Sequence, residues 1–143
     1  MPSSLGNFFI KTLINSPLYP LLGESFAVIT VTGCRTGKPI TTPINTVCVD
    51  GILTVISMRD RTWWRNLRKE HTAQLSRAGE RFMVRGEIVE TPNQVISGLE
   101  KYFAQFPGYA KYFKIHPGPD GKPDSQELML LAREHVIIHL FPI

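Results

Sequence analysis

Between residues 26 and 57 the chain alternates short β-branched stretches with tight turn signals, and that alternation limits what it can fold into. Residues 26–32, FAVITVT, read as a buried strand. The next seven, Gly33-Cys34-Arg35-Thr36-Gly37-Lys38-Pro39, form a turn by composition. Residues 40–49 are again β-branched but carry Pro43, which removes a ladder donor and confines a strand to an edge or a bulge. Asp50-Gly51 is a strong hairpin dipeptide, and residues 52–57 return as the next strand. Connections this short join antiparallel neighbours, because a parallel pair needs a much longer crossover.

The rest of the chain continues the pattern and adds helices. Leu5, Phe8, Phe9, Leu13 and Ile14 fall at helical spacings behind Ser4, predicting an amphipathic helix over 5–15 that ends before Pro17. Its favoured role is packing against the domain, with peripheral membrane contact as the lesser reading. Thr62 caps a predicted helix of two turns over 62–69. Strands are expected over 72–77 and 81–90, the latter alternating Phe82, Val84, Gly86 and Ile88 against Met83, Arg85, Glu87 and Val89. Thr91-Pro92 opens a helix running to Gln105, which Phe106-Pro107-Gly108 breaks. A second short helix over 109–115, an exposed loop over 116–123, a helix over 125–132 and a last strand over 135–141 complete the prediction. Six antiparallel strands with peripheral helices make a mainly β, α+β domain, and a small barrel removes the exposed sheet edges.

At 143 residues the chain is expected to be one domain, 1–143. With 43% apolar and 20% charged residues, the composition excludes disorder over most of its length. No apolar run approaches the ~20 residues of a membrane span, and no secretory signal is visible. Cys34 and Cys48 have no CxxC spacing, so a reduced, cytoplasmic setting is expected. His71, His116, His135 and His139 show no metal-ligand spacing, and no phosphate-binding or dinucleotide-binding glycine motif occurs, so no metal site is predicted. Cys34 lies near Arg35 and Lys38 but has no identifiable base, which argues against a nucleophile.

Net charge is 16 − 12 = +4, and residues 59–69 hold five cations against one acidic group. Such a cluster suits either a solvated helix face or an anionic partner. Three segments can carry chemistry. The turn over 32–39 combines close-approach glycines, hydroxyls and two cations, the groups a phosphate needs; an ordinary solvent-facing hairpin is the competing reading. In Trp63-Trp64-Arg65-Asn66-Leu67 one indole can anchor the helix with Leu67 while its neighbour points toward a ligand, a partner or solvent. Phe106, Tyr109, Tyr112 and Phe113 form an aromatic cluster that reads as core packing or as hydroxyl donors beside a flat ligand.

The order of these pieces resembles the deazaflavin-dependent nitroreductase and quinone reductase family, a group of flavin/deazaflavin oxidoreductases with a split β-barrel. The resemblance rests on Ile29 to Pro39, Thr42-Pro43-Ile44, Asp50-Gly51 and the Trp63-to-Leu67 segment. It implies that Arg35, Thr36 and Lys38 bind the cofactor phosphate and that Thr42, Pro43 and Ile44 lie along the deazaflavin ring. The segment from Ser57 to Arg59 would hold the ring or tail, Trp64 and Asn66 would close the pocket, and Tyr109 and Tyr112 would line the acceptor side as catalytic donors. Cys34 and Ile40 stand where the family often has arginine, and this leaves FMN open beside coenzyme F-420. The implied function is hydride transfer from reduced deazaflavin to an electron-poor small molecule such as a quinone, nitro compound or enone. The alternatives are an FMN-dependent oxidoreductase of the same fold, and a non-catalytic flavin- or nucleic-acid-binding module. A homodimer is left open, and no nucleic-acid partner is expected in the main reading.

Overall fold

The computed structural model describes residues 26–111, 113, 115, 116 and 122–143. The helix expected over 5–15, the tip of the loop over 116–123, and Tyr112 lie outside the described residues.

Among the described residues, seven strands form one antiparallel sheet: β1 Phe26–Thr32, β2 Pro39–Asn45, β3 Val47–Val49, β4 Ile52–Met58, β5 Thr72–Arg77, β6 Glu80–Val89 and β7 His135–Pro142. Their spatial order is β2-β1-β5-β6-β7-β4-β3. The expectation of six strands is corrected at Thr46. The single strand expected over 40–49 is split there: β2 pairs with β1, while β3 pairs with β4 at the opposite end of the sheet. The chain therefore passes from one sheet edge to the other within one residue. This is possible only because the sheet curls until β2 touches β4, giving a half-closed, split barrel. Thr46 is fully buried at this corner, and its Oγ1 accepts a 2.9 Å hydrogen bond from Arg77 Nε. Pro43 sits in an edge strand, as its missing N–H requires.

Inward-facing Ala27, Ile29, Val31, Leu75, Val84 and Leu140 fill the barrel. Outside it, α1 (Pro92–Gln105) and α2 (Ser125–Glu134) cover β3 and β7 through Val95, Leu99, Phe103, Leu128 and Ile137. Pro92 stands at the start of α1, as predicted. Thr62, expected to cap the following helix, makes no side-chain cap bond; residues Trp63–Arg68 form a 3-10 helix instead. That helix plugs one end of the barrel with Leu67, which a Cβ at Gly86 would approach to 2.9 Å, so only glycine leaves it its seat. Asp50 and Gly51 both adopt positive φ, +53° and +80°, making the tight two-residue hairpin between β3 and β4. Among the described residues, no helix is long and apolar enough to cross a membrane.

Candidate functional site

The turn between β1 and β2 is held from within and from outside. Gly33 N–H donates to the Lys38 carbonyl and Gly37 N–H to the Gly33 carbonyl, each at 2.8 Å, and Thr36 Oγ1 accepts from Lys38 N–H at 3.2 Å. From outside, the Asn66 carboxamide oxygen accepts from Cys34 N–H at 2.9 Å, while Asn66 Nδ2 donates to the Thr62 and Trp63 carbonyls. Backbone and anchor being satisfied, Arg35, Thr36 and Lys38 stand exposed, and among the described residues neither cation is in an ion pair. Two unpaired cations on a pinned turn suit a phosphate.

From this turn β2 runs along the split in the barrel, with one edge unpaired among the described residues. Across the split stands the end of β4. Between them is a cavity of about 200 Å³ lined by Pro43, Ile44 and Asn45 from β2, by 55–58 from β4, and by Arg61 and Trp63. Its polar groups are mostly committed: Trp63 Nε1 donates to Ser57 Oγ at 3.1 Å, and Ser57 Oγ donates to the Met58 carbonyl. Among the described residues, Asn45 Oδ1 is buried with no hydrogen-bond partner. An orphaned acceptor of this kind costs about 1–3 kcal/mol. Two larger hollows, about 450 Å³ beside α1 and about 610 Å³ beside Arg85 and Glu90, lie away from the turn and the unpaired edge. Among the described residues, no cluster of His, Cys, Asp and Glu could hold a metal.

The structure brings Pro43, Ile44 and Ser57 into one cavity, with Thr42 half-buried beside them and Arg35, Thr36 and Lys38 on the adjoining turn. It treats four other predicted residues differently. Trp63 and Trp64 are both buried, so of the directions expected for the second indole, a ligand, a partner or solvent, neither ring takes solvent. The cause is that both indoles bond to the end of β4, Trp63 to Ser57 and Trp64 Nε1 to the Met58 carbonyl at 3.2 Å. Trp63, not Trp64, lines the cavity; Trp64 is sandwiched under the guanidinium carbons of Arg65 and Arg68 at 5.3 and 5.1 Å. Asn66 does not line it either and acts on the turn.

Arg59 is turned away from the cavity to finish α2. Its guanidinium donates to the carbonyls of Ala132, Arg133 and His135 and to that of Glu90, and its N–H donates to the Glu134 carbonyl. The last-turn carbonyls of α2, which have no intrahelical partner, are thereby satisfied, the Leu131 carbonyl lying 3.0 Å from His135 Nδ1. Tyr109, in the 3-10 helix Pro107–Lys111, is half-buried on the aromatic cluster over α1, 5.6 Å from the Tyr102 ring and 5.8 Å from Phe106. It does not line the seam cavity. Burial pushes the Tyr102 phenol well above its usual range, with the neighbouring Tyr109 adding to the shift, so Tyr102 remains a neutral packing residue.

Sequence reasoning missed Asn45, Arg61 and Trp63 as lining residues, while Met58 falls inside the segment Ser57 to Arg59 that the resemblance assigned to the ring or tail. Asn45 carried a usable signal: a poor strand former inside a β-branched run invites a reason for its presence. Arg61 carried none, since only the closure of β2 toward β4 brings it to the split.

The sequence model of a family described as "F420H(2)-dependent quinone reductase" matches residues 16–115. Comparison with curated proteins finds no match. Among solved structures, an FMN-binding protein related to pyridoxamine 5'-phosphate oxidase from Nostoc punctiforme superposes with a TM-score of 0.59 at 12% identity, covering 94% of this chain and 78% of its own. A conserved hypothetical protein from Mycobacterium tuberculosis gives 0.58 at 15%, covering 89% and 80%. A protein of unknown function from Agrobacterium tumefaciens gives 0.52 at 16%; the match covers 82% of this chain but 48% of that protein, so this chain spans about half its length. At these identities the likeness establishes the split-barrel fold.

Proposed function

The chain belongs to the F420H(2)-dependent quinone reductase family and is an oxidoreductase using that deazaflavin, and from this premise we propose that the pinned turn and the split of the barrel together form its cofactor site. The single observation that supports this most is the bond from Cys34 N–H to Asn66 Oδ1. One short helix supplies both Asn66, which pins the cationic turn, and Trp63, which walls the cavity, so phosphate and ring subsites move as one body.

The residues present suit the group. Arg35 and Lys38, in no ion pair among the described residues, offer cations for its phosphate, with Thr36 between them. Pro43 and Ile44, facing Val55, make an apolar wall that excludes water, and the edge of β2 left unpaired among the described residues offers backbone donors and acceptors. When bound, the reduced deazaflavin supplies a hydride to the acceptor. The protein's task is to hold the ring, exclude water and stabilise charge on the acceptor. Tyr109 is the acceptor-side donor in this reading: a phenol at neutral pH can hydrogen-bond an oxygen gaining negative charge. Quinones are the acceptor class, and nitro compounds and enones extend it by the same electron demand. The exposed side chains of Ile40 and Met58 beside the split suit a second copy of the chain capping the site.

The test is titration of the purified protein with coenzyme F-420 and with FMN, followed by steady-state reduction of a soluble quinone by the reduced deazaflavin. Saturable deazaflavin binding with quinone turnover is expected. Binding of FMN alone would move the reading to flavin chemistry. Tight, steeply salt-dependent DNA binding without quinone turnover would replace it with a nucleic-acid module.

A further inference from the structure

β4 and β7 present alternate residues to the two faces of the sheet. Leu53, Val55, Val136, Ile138 and Leu140 face the barrel, which leaves Ile52, Thr54, Ile137 and His139 on the outer face. α1 crosses that outer face at Gly98, where a Cβ would come within 2.4 Å of Ile137 Cδ1, so glycine is what lets helix and strand approach this closely. Beside the crossing, α1 and the sheet enclose a groove of about 450 Å³. The split takes Val55 from the other face of β4, so the two hollows are separate.

The floor of the groove is apolar, made by Val49, Ile52, Val89 and Ile137. Several of its polar groups are already engaged. Thr54 Oγ1 donates to the Ile52 carbonyl at 3.0 Å, and the Asp50 carboxylate accepts from Gln105 Nε2. Glu87, opposite His139 on β6, is paired with Arg85. Lys101 and His139 line the groove without such partners. Among the described residues Lys101 is in no ion pair, and neither ring nitrogen of His139 is hydrogen-bonded or sealed from solvent. Lys101 is near enough to disfavour a proton on the imidazole, so both groups gain from an anion beside them. Ser97, one helical turn before Lys101, adds a hydroxyl on the same face of α1.

The volume lies within the range of small-molecule sites, and an apolar floor with unengaged nitrogen donors suits a ligand with one acidic group on an apolar body. We propose that the groove is a second ligand site, taking an amphipathic carboxylate whose body lies on the floor and whose oxygens are held by Lys101 and His139. The site goes beyond the cofactor assignment and does not depend on it. Charge-assisted bonding to Lys101 favours the carboxylate over a neutral analogue of the same shape.

The experiment titrates the whole chain by calorimetry, at neutral pH and low salt, with 2-naphthoate and with its neutral amide, 2-naphthamide. Wild type, Lys101→Met and His139→Gln are compared, and the bound carboxylate is located by shifts of backbone amide resonances. The wild type is expected to bind the carboxylate saturably and at least about fivefold tighter than the amide. Lys101→Met should erase most of that preference while binding the amide as wild type does, and His139→Gln should weaken the carboxylate by about two- to fivefold. Shifts should gather over 49–54, along α1 and over 137–139. No saturable binding at millimolar carboxylate overturns the proposal, as does equal wild-type affinity for carboxylate and amide. Unchanged carboxylate affinity in both variants overturns it too, as do shifts gathered over 33–38 and 55–58, which would put the ligand in the split. Lys101 stands exposed on α1, so Lys101→Met carries the test even where His139→Gln fails to fold.

Discussion

The backbone N–H of Cys34 donates to the carboxamide oxygen of Asn66 at 2.9 Å, joining two segments 32 residues apart. The same carboxamide donates to the carbonyls of Thr62 and Trp63, so one buried side chain satisfies a turn and a helix together. Asn66→Ala removes all three bonds: the buried Trp63 carbonyl and the Cys34 N–H each lose this partner, while the Thr62 carbonyl keeps the Arg65 N–H. The expected cost is about 2–3 kcal/mol of stability, read by urea denaturation. Coenzyme F-420 affinity of the folded variant should also fall, since the cationic turn loses its anchor. A destabilised variant that binds as tightly as wild type would separate the turn from the cofactor site.

Arg35→Ala and Lys38→Ala should behave in the opposite way. Both side chains are exposed, and among the described residues neither is in an ion pair, so melting temperature should hardly move. Each charge-assisted contact to a phosphate lost should weaken binding by about 1.5–3 kcal/mol, and added salt should narrow the gap to wild type. Unchanged affinity in both variants would remove the turn from the site.

How far the sequence discloses this architecture depends on the range of the forces involved. The hairpin at Asp50-Gly51, the edge placement of Pro43 and the start of α1 at Pro92 follow from local backbone chemistry, and all three are found. The break at Thr46 is not local. It depends on a partly buried bond from Arg77, 31 residues away, and on the barrel closing there. Site residues divide along the same line: the turn is legible from its glycines and cations. The identity of the wall indole is not, because it is settled by which atoms of β4 each N–H meets.

Arg59 shows how a cation in a basic run can belong to the scaffold. Its hydrogen bonds to three carbonyls at the end of α2 and to Glu90 tie β4, the strand that walls the split, to α2 and to the end of β6. Arg59→Met keeps much of the apolar stem and removes every donor. Stability should fall by about 2–4 kcal/mol, read from urea midpoints, because several helix-end carbonyls lose their partners together. Arg59→Lys should recover only part, since a single ammonium cannot span the same carbonyls. A loss of binding with no loss of stability would return Arg59 to the cofactor.

Tyr109→Phe tests the acceptor-side donor. The ring contacts to Tyr102 and Phe106 survive the change, so folding and deazaflavin affinity should be preserved. Quinone turnover should fall about 10- to 1000-fold if the phenol stabilises or protonates the reduced acceptor. Full turnover would mean that the proton comes from solvent and that Tyr109 serves the aromatic cluster alone.

The acid limb of stability should carry the signature of His139. This side chain faces outward from β7, with Glu87 of β6 and Thr54 of β4 opposite it and Lys101 of α1 nearby. Burial lowers its pKa, Lys101 lowers it further, and Glu87 opposes them; burial dominates. The folded protein thus binds the proton less readily than the unfolded chain, whose histidine titrates near ~6.5. Above that pH both states are neutral there and the residue contributes no slope. As pH falls below it the unfolded chain takes up a proton first, so stability declines until the depressed folded pKa is reached. His139→Gln removes this term while leaving the other histidines in place. Urea midpoints from pH 8 to pH 5 should therefore fall less steeply in the variant than in wild type. Parallel curves would mean that His139 takes up its proton in the folded protein as easily as in water.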